Sequence, residues 1–249
     1  MLGFDALAAW FRRQERAVQG ALALTAISRL WLAATDHSVY WPDEIYQSIE
    51  PAHRLAFGYG LLPWEFRDGA RSWAFPTLLA VPLKILGLLH VHSGLAYVIG
   101  ARLVMVLLAV AAAGVAIDYA RRLGGKNAAL IAAFALALFP PLLVYSHRTL
   151  QEAASAPLIA LVPLLLMLRN PRAATQAGLA VGIASVLRFQ CGVLAAGFLI
   201  GLIFERRWED VRAYLKMGAI VALASGLLDW ITWGAPFHSF VTYFQFNLI

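Results

Sequence analysis

Charge is scarce in this sequence: 14% of its 249 residues are Asp, Glu, Lys or Arg, against 61% hydrophobic residues and a mean hydropathy of +0.70. That balance excludes an ordinary soluble domain and places the chain in a membrane. Cysteine is nearly absent. The one present, Cys191, sits in an apolar stretch, which excludes a disulfide framework and any thiolate metal site. The histidines His37, His53, His90, His92, His147 and His238 show no HExxH spacing, so no metal or other cofactor is expected. G-x-S-x-G, P-loop and Rossmann signatures are also missing, which leaves serine-hydrolase and nucleotide-binding readings without residues and directs attention to a donor other than a soluble nucleotide. No internal repeat and no low-complexity segment is visible. The net charge of +6 does not indicate nucleic acid, because the Lys and Arg residues fall in short clusters between apolar runs, where topology explains them.

What the sequence has in quantity is long apolar runs, near residues 17–35, 74–91, 95–120, 127–145, 150–168, 173–204 and 211–231. They are too long and continuous for barrel strands of about ten residues, so the fold class is all-α and polytopic. Arg29 interrupts the first run and no small-x-small cleavage site follows, so it reads as an uncleaved span rather than a signal peptide. The basic clusters are RRQER (12–16), RRLGGK (121–126), RNPR (169–172) and ERRWEDVR (205–212). Placing all of them in the cytoplasm requires an even number of crossings between consecutive clusters. The run 74–91, with Pro76, Pro82 and Lys84, then lies in the outer interface or re-enters, and 173–204 becomes a pair of short helices turning near LRFQCG. The result is about seven crossings with a long first external loop, 36–94. The whole of 1–249 reads as a single transmembrane module, and its last residues, FQFNLI, read as the lead-in to a further helix of a longer chain.

The external side collects the chemistry. Pro42 followed by Asp43 and Glu44 is a helix start, where the helix dipole favours carboxylates. At about 100° per residue, Asp43, Gln47, Glu50 and Arg54 share one stripe and Ile45, Ile49, Ala52 and Ala56 the opposite one. This is an amphipathic interfacial helix, expected to bend at Pro51 and to stop at Gly58 and Gly60. Adjacent Asp43 and Glu44 point in different directions, so one can serve as a base while the other orients a loop or a substrate hydroxyl. Arg29, Arg102 and Arg188 are costly near hydrocarbon unless each reaches water, a bound anion or an acidic partner such as Asp118, Asp229 or Glu152.

The segment WPDEIYQSIEPAHRLAFGYGLLPWEFRDGARSWAFP resembles the first lumenal loop of the family-22 glycosyltransferases, polytopic mannosyltransferases of GPI-anchor and N-glycan assembly. Pro42, Asp43, Glu44, Gln47, Glu50, His53, the stretch Phe57 to Gly60, Trp64, Glu65, Arg71, Ser72 and Pro76 follow that family's order of motifs. Weaker echoes are IDYARRLGG, HRTLQEA, VLRFQ and WGAPFHSFVTYFQFN, so the resemblance runs from about Arg29 to Asn247. Trp41, Pro63 and Gln151 stand where the family pattern has His, Thr and Ser. The resemblance implies a GT-C-like module of seven transmembrane helices. It further implies transfer of a hexose, mannose in this family, from a polyprenyl-phosphate carrier to an acceptor hydroxyl with inversion.

On that reading Asp43 is the catalytic base and Glu44 supports it. Arg188, at an external turn close to lipid, is the first candidate for the donor phosphate, followed by Arg102, Arg148 and Arg29. Gln47, His53, Tyr59, Trp64 and Glu65 are the candidates for binding substrate. The implied partners are membrane lipid, the polyprenyl-phosphate sugar and a glycan or glycolipid acceptor, with no nucleic acid. The active site is expected on the noncytoplasmic side, periplasmic in a bacterium and ER-lumenal in a eukaryote. Two alternatives remain open on the residues alone: a transporter or flippase of lipid-linked substrate, and a noncatalytic truncated relative.

Overall fold

The computed structural model describes residues 4–248, and residues 1–3 and 249 of the expected single module lie outside it. It is helical, in chain order α1 (Phe4–Arg12), α2 (Arg16–Thr35), α3 (Pro42–Glu44), α4 (Glu50–Phe57), α5 (Trp64–Arg67), α6 (Ala74–Leu88) and α7 (Gly94–Leu138). There follow α8 (Pro140–Tyr145), α9 (Gln151–Met167), α10 (Pro171–Leu187), α11 (Cys191–Phe204), α12 (Trp208–Trp233) and α13 (His238–Leu248). No strand occurs among the described residues. By length and hydropathy, three of these helices, α2, α7 and α12, can cross a bilayer unaided. Helices α6, α9 and α11 are shorter apolar helices, so helix length alone does not reach the expected count of about seven crossings.

Two expected runs, 95–120 and 127–145, are joined in α7, and Gly125 shows why they are nevertheless distinct. Its φ of 72° and ψ of −160° are open to glycine and break the helix there. Both sides of the break pack on α2: Ile117 from one, Ala129 and Ala133 from the other, against Val18, Ala21 and Leu22. Near the break, Arg121 bonds Glu15 at 3.1 Å, while Leu136 and Arg102 meet the opposite end of α2 through Arg29 and the Asp36 carbonyl. The two halves of α7 therefore run antiparallel, and the RRLGGK cluster caps their turn.

The other basic clusters gather at that same end of the bundle or at helix ends that pack together. Arg169 pairs with Glu205 at 3.2 Å, and Arg207 donates to the Leu166 carbonyl at 2.9 Å. The expected pair of short helices is present as α10 and α11, turning at Arg188 to Gln190. Helix α10 is lined with buried Ala173, Ala174, Ala177, Gly178 and Ala184, and it lies so close to α12 that a Cβ at Gly178 would collide with the Tyr214 carbonyl. Small residues at a helix interface permit this approach.

The amphipathic helix runs from Pro42 to Phe57, with a wider π turn at Ile45–Ile49 between α3 and α4. The irregularity thus precedes Pro51 rather than falling on it. Pro51 sits in the first turn of α4, where its missing N–H is tolerated. Of the apolar stripe, Ala52 and Ala56 are buried, packing on Phe75, Leu79 and Leu83 of α6 and on Ala101 and Met105 of α7, while Ile45 and Ile49 are half-buried. Gly58, with φ 81°, ends the helix. Lys84 then donates from Nζ to the Ala56 carbonyl at 2.8 Å, tying α6 beneath this end. The 15 residues of α6 are fewer than the roughly 20 a span needs, in keeping with a helix that supports the external loop.

Candidate active site

The carboxylates at the start of α3 owe their separation to a buried charge cluster beneath them. The guanidinium of Arg148, in the turn before α9, pairs through Nη2 with Asp36, and its Nη1 donates to the Ser38 carbonyl at 2.7 Å and to Glu44 Oε1 at 3.5 Å. Arg102 donates to the Asp36 carbonyl and, at 2.7 Å, to the Ser38 carbonyl. His147 Nε2 lies 3.2 Å from Asp36 Oδ2, and the Tyr40 N–H reaches Glu44 Oε1 at 3.2 Å. The rings of Tyr40 and Trp41 cover Arg148, with 4.4 Å from its guanidinium carbon to the Tyr40 centroid.

Arg102, Arg148, His147 and Glu44 are buried. Two cations against two anions leave the cluster neutral, the condition under which such groups tolerate burial. Burial alone would raise the pKa of Asp36, but hydrogen bonds from Ser38 and His147 and the charge of Arg148 outweigh it and hold the carboxyl well below its ordinary range. Burial, reinforced by Arg148 and Arg102, pushes His147 down and keeps its ring neutral. Its ring lies between two acceptors, Asp36 at Nε2 and the Leu143 carbonyl at Nδ1, 3.3 Å away.

This cluster fixes loop 36–41, and with it the direction in which Pro42 starts the helix. Glu44 turns inward to Arg148. Asp43 turns outward, exposed, into an open cleft of about 630 Å³. Beside Asp43 the cleft is lined by Tyr46 and Gln47 of the π turn, and also by Leu61, Leu62, Pro63, Trp64 and Glu65. Glu65 is held in place by Arg71, whose Nη2 donates to Oε1 at 2.9 Å and whose Nε donates at 3.2 Å. Trp64 packs on Phe246 of α13 with centroids 4.7 Å apart.

Asp43, Gln47, Trp64 and Glu65, read from the sequence as site residues, are thus brought together. His53 and Tyr59 are not at the cleft wall. His53 faces the Tyr59 carbonyl at 3.2 Å and packs among Phe57, Tyr59 and Tyr97, while Arg54 bonds the Gly60 carbonyl and Glu50 accepts from the Leu61 N–H. Those contacts fold loop 58–61 back on α4 so that Leu61 to Glu65 reach the cleft.

Among the arginines, Arg29 is buried and donates to the carbonyls of Thr25 and Leu136 at 3.2 and 2.7 Å, linking α2 to α7. Arg102 and Arg148 are engaged as described. Of the four, Arg188 is the one left partly open, its side chain 30% exposed and paired with Glu152 at the turn between α10 and α11. Sequence reasoning missed Asp36, Ser38 and His147, whose signal is a short polar run directly after the first span and another before α9. It named Arg71 within the family pattern without giving it a role. Among the described residues no three His, Cys, Asp or Glu side chains group so as to hold a metal ion.

Comparison with known proteins adds a family. A family model described as the Alg9-like mannosyltransferase family matches residues 21–249. A GPI mannosyltransferase 3 of Yarrowia lipolytica is 31% identical over 235 residues, 92% of this chain and 46% of that protein. GPI mannosyltransferase 3 of Drosophila melanogaster is 49% identical over 69 residues, 28% of this chain and 12% of its own length. GPI alpha-1,2-mannosyltransferase 3 of Danio rerio is 40% identical over 68 residues, 27% of this chain and 13% of its own length. The match spans less than half the length of each of these relatives. No solved structure matches the chain.

Proposed function

The chain belongs to the Alg9-like mannosyltransferase family, and we propose that it transfers mannose from a polyprenyl-phosphate carrier to a hydroxyl of a glycan or glycolipid acceptor, with Asp43 as the base. The observation that carries this reading is the division of labour at the helix start: Glu44 is neutralised in a buried ion pair, while its neighbour Asp43 faces an open cleft walled by an aromatic and a second carboxylate. Such a wall suits a sugar, whose apolar face stacks on Trp64 and whose hydroxyls meet the carboxylates.

In the reaction, Asp43 accepts the proton of the acceptor hydroxyl as its oxygen bonds to the anomeric carbon from the side opposite the carrier. The bond from that carbon to the phosphate oxygen breaks, its electron pair leaves with the phosphate monoester, and the configuration inverts. The leaving group needs no added proton, so one base and one cation suffice. Arg188 is the cation, exchanging part of its contact with Glu152 for the phosphate. Arg29, Arg102 and Arg148 hold the frame.

The names of the relatives suggest a GPI-type glycolipid as the acceptor. The basic clusters lie at the end of the bundle remote from the cleft, which supports a cytoplasmic position for them and a noncytoplasmic one for Asp43. The long apolar helices α2, α7 and α12 suit a GT-C-like membrane module. Carboxylates gathered with Trp64 around a cleft at one end of the bundle fit an enzyme working at the membrane surface better than a carrier with a midplane site.

The test is incubation of the purified protein with radiolabelled polyprenyl-phosphate mannose and a glycolipid acceptor. Label should pass to the acceptor. Transfer from a nucleotide sugar instead, or from no polyprenyl-phosphate sugar at all, would remove the reading.

A further inference from the structure

Arg71 is the cation that bonds the cleft wall at Glu65. It stands in the connection between α5 and α6, with its side chain 16% exposed. Its Nε and Nη2 both donate to Oε1 of Glu65, at 3.2 and 2.9 Å, and Gln47 Nε2 lies 3.4 Å from the same oxygen. The remaining nitrogen, Nη1, donates to Oε1 of Gln151, a residue 5% exposed at the start of α9, at 3.1 Å. The ring of Tyr243 on α13 lies 5.6 Å from the guanidinium carbon. Four elements therefore contribute to one arrangement, and its product is a single fixed carboxylate.

The distribution of those bonds is uneven in an informative way. All the donors converge on Glu65 Oε1, and Oε2 accepts no hydrogen bond from any described residue, although a carboxylate has about four acceptor positions. Nor is Oε2 among the buried polar atoms left without a partner, so it is open to the cleft that Glu65 lines. A carboxylate that served only to neutralise Arg71 would gain more from a two-oxygen fork with it. Asp43 and Gln47 are a turn apart on one helix face, about 6 Å between Cβ atoms, and Gln47 touches Glu65. The two carboxylates thus line one cleft, with Trp64 beside them.

We infer that Arg71 is a positioning residue that, with Gln47 and Gln151, holds Glu65 so that its Oε2 accepts a hydroxyl of the transferred mannose, making Glu65 a determinant of donor-sugar recognition. This rests on the function proposed above. Arg71 keeps the carboxylate pointed; the hydroxyl donates a hydrogen bond to Oε2 that a donor lacking that hydroxyl cannot make.

The test is direct binding in nanodiscs, without turnover, of polyprenyl-phosphate mannose and of bare polyprenyl phosphate to wild type, Arg71→Lys and Glu65→Gln. Glu65→Gln preserves shape and Arg71→Lys preserves charge, so at least one folded variant is available. The expected result is a loss of about 10-fold or more in affinity for the mannosylated lipid in each variant, with bare polyprenyl phosphate bound as by wild type. Equal weakening for both lipids would place Arg71 at the phosphate and overturn the inference, and so would unchanged affinity for the mannosylated one. A wild type that binds the mannosylated lipid with this pattern yet transfers nothing refutes the proposed reaction while sustaining the inference. A wild type that binds neither lipid refutes both.

Discussion

Replacing Arg148 with Met removes the cation beneath the helix start while keeping much of its volume. The substitution leaves Glu44, 1% exposed, with the Tyr40 N–H but without its counter-charge, and leaves Asp36, 21% exposed, with His147 and Ser38. Removing one partner of a buried pair costs about 3–5 kcal/mol. Water reaching Asp36 screens part of its share, and Arg102 still acts on both carboxylates, so a loss at the low end of that range, about 3 kcal/mol, is expected. For a chain of this size that corresponds to a drop of about 6–12 °C in the unfolding midpoint.

The assay is thermal unfolding in detergent, read by the fraction surviving size-exclusion chromatography. Adding Glu44→Gln to Arg148→Met should recover about 1 kcal/mol or more, because the orphaned charge is gone. A midpoint within about 2 °C of wild type for the single variant would refute the claim that this pair sets the helix start.

His147 predicts a pH dependence. Its pKa is held below the ordinary value by burial and by Arg148 and Arg102, against the pull of Asp36, so the unfolded chain binds more protons between the two values. The associated stability is complete above about pH 6.5 and is lost as pH falls through that window toward the depressed value. The unfolding midpoint should therefore fall between pH 7.5 and pH 5.5, and His147→Gln should flatten the change; an equal slope in the variant would assign it elsewhere. Arg188→Ala should raise the KM for the polyprenyl-phosphate donor by about 10-fold or more, the value of a charge-assisted contact, with the acceptor KM little changed. Unaltered donor saturation would remove Arg188 from the phosphate site.

The parts of this protein legible in its sequence are those set by local pattern. Hydropathy located α2, α9 and α12 closely, the turn between α10 and α11 followed from counting basic clusters, and the stripe of Ala52 and Ala56 was readable because helical periodicity decides which face is apolar. The turn at Gly125 was implied only by charge, since a helix-compatible run continues on either side of it. The burial of Glu44 was not legible: its partner Arg148 lies 104 residues away, and His147 meets Asp36 across 111. Helical periodicity puts Asp43 on the polar stripe, but nothing in the acidic pair names the partner that draws Glu44 inward. The same holds for Arg71, whose presence in a motif gave no hint that it bonds Glu65 on one oxygen only. His53 and Tyr59 fall within the family's order of motifs, yet their contacts show that a loop must be built before it can line anything.

The most direct measurement is mannose transfer by Asp43→Asn alongside wild type, with the unfolding midpoint of each recorded. An exposed side chain outside the buried frame can be changed at little structural cost, so the midpoint should stay within about 2 °C while transfer falls by about 10²–10⁴-fold, the range for loss of a general base. Transfer at the wild-type rate from a folded Asp43→Asn protein would contradict the account.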